Sequence, residues 1–284
     1  MPRLPSLARL LLHATLLAGA ASGSAHAGSA EAGAVQAQEL SVVTFNLRHD
    51  ADDWPRRRVQ VVETFRRLQP DVIVLQEVLQ HDTLPNQAED LAQALGYQAY
   101  FISIDPPGKV RRYGNAILTR APVLARGWVP LRPLQDSRSA GWVRIERART
   151  PVTVYATHLH HQDDDAGRAM RREQLDDLLA LVSRTSAGTP SIIAGDFNSA
   201  AGNPELSVLQ PQFVEAFTAL HPDDTHPTLN PFYFKDDHRR IDHVYVQQAA
   251  WTPLEARIVL DREGAPGVWP SDHFGVFVRL QHTR

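Results

Sequence analysis

Short apolar runs separated by polar turns fill the chain from about residue 39 onward, and their period changes from place to place. Leu40 to Leu47 reads as a buried strand, while after Pro55 the residues Val59, Val62, Phe65 and Leu68 recur at helical spacing until Pro70 stops them. Asp71 to Gln76 is a continuous apolar strand. A helix from about Asn86 to Leu95 ends at Gly96, and strands follow at Tyr97 to Ile104 and Asn115 to Thr119, separated by the polar loop DPPGKVRRYG. Gly141 to Glu146 and Val152 to Thr157 form an antiparallel pair in this reading. Leu175, Leu178, Leu179 and Val182 mark one face of a helix within Asp163 to Arg184, and Gly188 to Pro190 turn the chain into SIIAGDF. A short helix near Pro204 to Leu209, the aromatic loop NPFYFKDD, and strands at Ile241 to Val246, Ala256 to Leu260 and Phe274 to Leu280 complete the series.

Strands joined sometimes by helices and sometimes by turns give mixed sheets, with more strands than one doubly wound sheet holds. The expected fold class is therefore α/β, two mixed sheets packed face to face with helices outside.

The first residues have a different character. Arg3 and Arg9 precede the apolar stretch Leu10 to Ala21, too short to span a bilayer, and Ala25-His26-Ala27 has the small-x-small pattern of a signal-peptidase site. The expected organisation is a signal peptide at 1–27, a flexible segment at 28–38 and one domain at 39–284, with a secreted or periplasmic location. The chain has no cysteine, so disulfides, thiolate zinc sites and cysteine nucleophiles are excluded. Its formal charge is -3, and losing Arg3 and Arg9 makes the rest more acidic still, against binding to nucleic acid by bulk electrostatics alone. Of the local basic clusters, Lys109 to Arg112 and Arg239-Arg240 stand directly before motif strands and are expected to face a substrate, whereas Arg56 to Arg58 read as a solvated helix face.

Several apolar strands end on residues suited to metal or phosphate chemistry: VVTFN at Asn46, DVIVLQE at Glu77, VTVYATH at His158, and SIIAGDFN at Asp196 and Asn198. Ligand sites of α/β sheets gather where the carboxyl ends of neighbouring strands meet, so these residues are expected to converge. RIDHVYV adds Asp242 and His243, and SDHFGV adds Asp272 and His273. A hard cation such as Mg²⁺ takes one or two protein carboxylates plus water and phosphate oxygens, a set that Glu77 and Asp272 can supply, with Asn46 as a neutral ligand. In GDFNS, Gly195 is expected to allow a tight turn, and Asp196 and Asn198, two apart on an extended backbone, address one point. One carboxylate to activate water and one amide to hold an oxyanion suit phosphoester hydrolysis. His158 and His160 would share a face if the strand continued, which raises a zinc pair as the competing thought, although HLHHQDDD lacks a matching second pair.

In this order the segments TFN, LQE, THL, GDFN, RIDH and SDH resemble the endonuclease/exonuclease/phosphatase superfamily, from about Leu40 to Leu280. That resemblance implies a four-layer α/β sandwich. It implies Glu77 as principal Mg²⁺ ligand with Asn46 beside it and Asp272 close by, Mn²⁺ or Ca²⁺ being the other candidate cations. It also implies Asp196 as the group that deprotonates water, Asn198 on a phosphate oxygen, His158 and His273 flanking the phosphate, and Asp242 orienting a histidine. Arg48 stands where apurinic endonucleases carry Asp, as in the deoxyribonuclease branch, and Arg48 and Asn115 are candidate phosphate contacts. The expected protein is an exported, monomeric, metal-dependent phosphoesterase acting by in-line attack of water on nucleic acid, a phospholipid headgroup or a small phosphate ester. The alternative is a non-catalytic phosphate- or nucleic-acid-binding module on the same scaffold.

Overall fold

Val42, Val72, Val74, Val276 and Val278 from one sheet meet Val154, Ile192, Ala194 and Val244 from another in a shared buried layer. Side chains alternate across a strand, so the opposite residues of the same runs need cover of their own. The structure, a computed structural model, describes residues 39–283 other than Ala187, so the expected signal peptide and flexible segment lie outside the described residues.

The first sheet runs β11 (Trp251–Val259), β12 (Gly275–His282), β1 (Glu39–Asn46), β2 (Val72–Gln80), β4 (Arg112–Thr119) and β3 (Gln98–Ile102) in spatial order. The second runs β5 (Val123–Pro130), β6 (Ser139–Arg147), β7 (Thr150–His158), β8 (Ser191–Asp196), β10 (Asp242–Gln247) and β9 (Phe213–Glu215). Both are mixed, with β1–β2 and β7–β8 parallel and the other pairs antiparallel. Helices α1 (Trp54–Leu68) and α2 (Gln87–Leu95) cover the outer face of the first sheet through Val61, Phe65 and Leu91. Helix α3 (Asp165–Thr185) covers the second through Leu175, Leu178 and Leu181. A fourth, short helix spans Ala216–Leu220. The result is the expected four-layer sandwich.

Differences from the sequence reading have physical causes. The buried face of α1 is Trp54, Arg57, Val61, Val62 and Phe65, whereas Val59 is exposed. β5 escapes notice because it is an edge strand whose alternate residues are exposed, Leu124 and Trp128 among them, so it lacks a continuous apolar run. β9 and the short helix after it are too brief to show a period. β2 runs past Gln76 to Gln80 through a bulge, and there Glu77 takes a left-handed φ of 55°.

Candidate active site

Sheet register decides which strand ends meet. Asn46 pairs with Gln76 across the parallel β1–β2 ladder, which sets Glu77 beside it. Thr44 pairs with Val276 across β1–β12, so Asp272 and His273, just ahead of β12, come to the same end of the sheet. In the second sheet His158, Asp196 and Asp242 stand in one row, each paired with the next across β7, β8 and β10. The two groups touch, because Asn46 Nδ2 donates to Asp196 Oδ2 at 3.1 Å.

Asp196 is held on both oxygens. Besides the Asn46 bond, its Oδ1 accepts from the Asn198 backbone N–H at 2.9 Å. Burial, followed by the charge of Asp242, pushes its carboxyl up to about 7, against the opposing pull of His273 and the two hydrogen bonds. Gly195 serves close packing and not a turn: a Cβ there would lie 2.1 Å from the Thr157 carbonyl oxygen. Asn198 has left the extended conformation, with φ 51°, and its Nδ2 donates to the Leu159 carbonyl at 3.0 Å. One amide hydrogen of Asn198 is thus committed to the scaffold.

The histidines differ in charge state. His158 Nε2 lies 3.4 Å from Asp196 Oδ2, and burial, then the charges of Arg138 and His273, hold its pKa well below the ordinary value, so the ring is neutral. His273 is equally enclosed and burial works against its charge. Its Nδ1, however, donates to Asp242 Oδ2 at 2.8 Å, and Asp242, Asp196 and Asp272 together carry its pKa well above the ordinary value. A neutral and a cationic imidazole therefore flank one carboxylate.

Oxygen donors dominate the candidate cation positions. Asp196, Asp242 and His273 present ligand atoms within 4.8 Å of one another, and Asp242 Oδ1 is buried without a hydrogen-bond partner. By proximity that trio is a candidate metal site. The His273 proton already balances its charge, and Nδ1 is directed at a carboxylate, which makes the trio a proton-holding network first. Asn46, Glu77 and Asp272 form the other set, two partly exposed carboxylates and an amide at the ends of β1, β2 and the segment before β12. Hard oxygens without sulfur suit Mg²⁺. The Tyr113 phenol is pushed up by burial and then by the Glu77 and Asp196 charges, so both carboxylates face it.

Arg48 reaches this end of the sheet. Its Nε is 3.7 Å from Asp272, its Nη1 is 3.5 Å from Asp52, and its guanidinium lies 4.0 Å over the Tyr233 ring. Asn115 is buried and its Nδ2 donates to the Ser139 carbonyl at 3.2 Å, tying β4 to β6 next to Arg138. The zinc pair does not form: β7 ends at His158, and His160 turns away to Asp136 at 2.8 Å. His243 likewise faces out of the site, bonded to the Ser199 carbonyl at 2.9 Å and 3.7 Å from Glu215. Within the two basic clusters Lys109 pairs with Asp105 at 2.7 Å, Arg112 lies 4.9 Å over Phe101, Arg239 pairs with Asp237 and Asp163 at 2.6 Å each and Arg240 stacks 4.3 Å over Phe217, while Arg111 is exposed.

Three residues of the site carry no motif. Arg138 sends its charge onto His158, His161 and Tyr113 from a loop between β5 and β6. Tyr113 faces Glu77 from β4. Arg57, buried in α1, donates to the carbonyls of Leu47 at 2.7 Å, His49 at 2.9 Å, Ala51 at 3.0 Å, Arg48 at 3.3 Å and Pro270 at 2.9 Å. It thereby ties the Arg48 loop to the Asp272–His273 loop. A signal for it existed, since Arg57 precedes the buried Val61 by four residues and Phe65 by eight.

The model of the Endonuclease/Exonuclease/phosphatase family matches residues 43–273. The Escherichia coli (strain K12) uncharacterized protein YbhP is 28% identical over 235 residues, which span 76% of this chain and 88% of that protein. The human Nocturnin catalytic domain with bound sulfate anion is similar with a TM-score of 0.70 at 21% identity, over 87% of this chain and 94% of that one. D. rerio TDP2 complexed with single strand DNA product gives a TM-score of 0.71 at 18% identity, over 85% and 98%. At such identities the two solved structures speak to the fold.

Proposed function

Because the chain belongs to the endonuclease/exonuclease/phosphatase family, we propose that it is an exported, Mg²⁺-dependent phosphodiesterase that hydrolyses a P–O bond by in-line attack of water. The family scaffold with its buried Asp196, Asp242 and His273 makes it a phosphoesterase. The finer reading rests above all on one observation: a buried carboxyl raised to about 7 and fixed on both oxygens, between a neutral and a cationic histidine.

In this mechanism Asp196 takes the proton of the attacking water. A base near neutrality is both available and strong enough for the task, and the Asn46 and Asn198 donors keep its oxygens aimed. His158, neutral and 3.4 Å from Asp196, orients the water or the phosphoryl oxygen without repelling an incoming cation. His273, charged and braced by Asp242, presents its Nε2–H to the phosphoryl oxygen and stabilises the charge that grows there. Arg48 adds a second cation for a non-bridging oxygen. A Mg²⁺ held by Asn46, Glu77 and Asp272 would supply Lewis-acid stabilisation of the phosphate. Export rests on the leader pattern at 1–27, and mass spectrometry of the mature N-terminus in an extracytoplasmic fraction checks it.

The test is a panel of DNA, RNA, sphingomyelin and inositol phosphates assayed with Mg²⁺, with Mn²⁺ or Ca²⁺, and with chelator. Turnover of at least one of them that chelator abolishes is the expected result. Binding without turnover of any, under every metal, would favour the non-catalytic alternative.

A further inference from the structure

Next to the catalytic loops lies a groove of about 180 Å³, lined by Asp52, Asp53, Arg57, Phe232, Tyr233 and Trp269 among others. Phe232 is 54% exposed there and joins Tyr233 and Trp269 in a contiguous aromatic surface. Its ring stands 6.1 Å from Trp269 at 34° and meets Tyr233 edge-on at 5.0 Å. Tyr233 in turn carries the Arg48 guanidinium on its face at 4.0 Å, and Arg48 Nε is 3.7 Å from Asp272. An unbroken path of contacts therefore leads from the exposed aromatic surface to the phosphate side of the site.

Charge narrows what the groove can hold. The carboxylates of Asp52 and Asp53 are about half exposed beside Phe232, so pushing the aromatic tip into a bilayer would desolvate both. A quaternary ammonium wants several open aromatic faces around it, but the Tyr233 face already holds a guanidinium and Arg57 adds a second cation to the lining. A planar, uncharged ring suits all the features together. It can stack on Phe232 and offer an exocyclic N–H to the half-exposed Asp52 carboxylate, whose Oδ2 also accepts from the Tyr233 hydroxyl at 3.2 Å, while an attached phosphate would lie toward Arg48.

We propose that this groove is a nucleobase subsite, in which Phe232 stacks one base of a nucleotide ester while Arg48 and the catalytic row receive its phosphate. The proposal rests on the phosphodiesterase reading above and gives it a substrate class. A volume of about 180 Å³ suits a single base, and the Asp52 and Asp53 carboxylates disfavour a long polyanion beside it.

Binding and turnover test it separately. Adenosine 5′-monophosphate and ribose 5-phosphate are titrated by calorimetry into the wild-type protein and Phe232→Ala in Mg²⁺, and hydrolysis of methyl p-nitrophenyl phosphate, which has no base, is followed on the same proteins. The nucleotide should bind about tenfold more tightly than the sugar phosphate, in line with one stacked base. Phe232→Ala should erase that preference while lowering hydrolysis of the base-free ester by a much smaller factor than it weakens nucleotide binding. Equal wild-type affinity for the two ligands overturns the subsite, as does a nucleotide preference that survives Phe232→Ala. Vesicles of phosphatidylcholine provide the remaining arm: Phe232-dependent vesicle binding with no nucleotide preference assigns the aromatic tip to a membrane and overturns the subsite as well. A nucleotide preference without hydrolysis of any ester supports the subsite and removes the catalytic reading, whereas hydrolysis without preference does the reverse.

Discussion

Asn46 Nδ2 donates to Asp196 Oδ2 at 3.1 Å, joining residues 150 positions apart and on different sheets. The proposed general base and a candidate metal ligand are thus coupled directly, so the geometry of the candidate site depends on how the two sheets pack and not on either alone. In the proposed mechanism the row His158, Asp196 and Asp242 is the acid–base side, and the ends of β1 and β2 with the segment before β12 are the candidate oxygen donors.

The rate should depend on pH through a bell. Asp196, with its carboxyl near 7, must be ionised to accept a proton, so turnover falls as pH drops through about 7. His273, held above its ordinary value by Asp242, must stay protonated, so turnover falls again on the alkaline side. Asp242→Asn removes a negative charge from both partners and should move both limbs to lower pH, the alkaline one by at least about one unit. An alkaline limb that stays in place would assign it to a group other than His273.

Glu77→Gln should lower metal-dependent turnover and raise the half-saturating Mg²⁺ concentration, with partial recovery at high Mg²⁺. Substituting an amide for the carboxylate weakens a hard-cation ligand without touching Asp196 or His273. Wild-type metal dependence and rate in this variant would remove Glu77 from the site.

Arg57→Lys tests whether one buried guanidinium holds both catalytic loops. Lysine keeps the charge but lacks the planar fork that reaches several carbonyls at once. The loop it braces is strained, with left-handed φ at Arg48 (55°), His49 (37°) and Asp52 (56°), and so needs external support. Turnover should fall at least about tenfold and the half-saturating Mg²⁺ concentration should rise, because the Asp272 loop loses its tie at Pro270. A lower melting temperature with unchanged kcat, KM and Mg²⁺ midpoint, measured well below that temperature, would limit Arg57 to folding.

The strand-end chemistry was legible in the sequence because a buried strand makes its next polar residue conspicuous, and six short motifs kept a recognisable order. Glu77, His158, Asp196, Asp242 and His273 stand out in that way, and sheet register brings them to one place. Arg138 and Tyr113 do not, since each acts across strands from a segment whose local pattern is ordinary. Arg57 is hidden in the sequence for a sharper reason. It lies between Arg56 and Arg58 in a run that looks solvated, yet helical spacing turns it inward with Val61 and Phe65. His160 is the opposite case, because the extended pattern continues in the sequence past the point where β7 stops.

Asp196→Asn should separate activity from stability. Removing the base should cost at least about a hundredfold in turnover. Stability should move the other way, because ionising a fully buried carboxyl is unfavourable: its folded pKa of about 7 lies well above the ordinary 3.8. With the folded pKa raised, the favourable contribution is complete below about pH 4 and is lost progressively as pH rises through 7. The asparagine protein has no such loss. Its melting temperature relative to wild type should therefore rise between pH 4 and pH 8, by an amount corresponding to roughly 2–4 kcal/mol at the upper end, allowing for one of the Asn46 and Asn198 hydrogen bonds being spoiled by the new amide. Thermal melts of both proteins at pH 4, 6 and 8, with activity measured on the same preparations, give the comparison. A parallel fall of activity and melting temperature at every pH would make Asp196 a structural turn residue and remove it as the base.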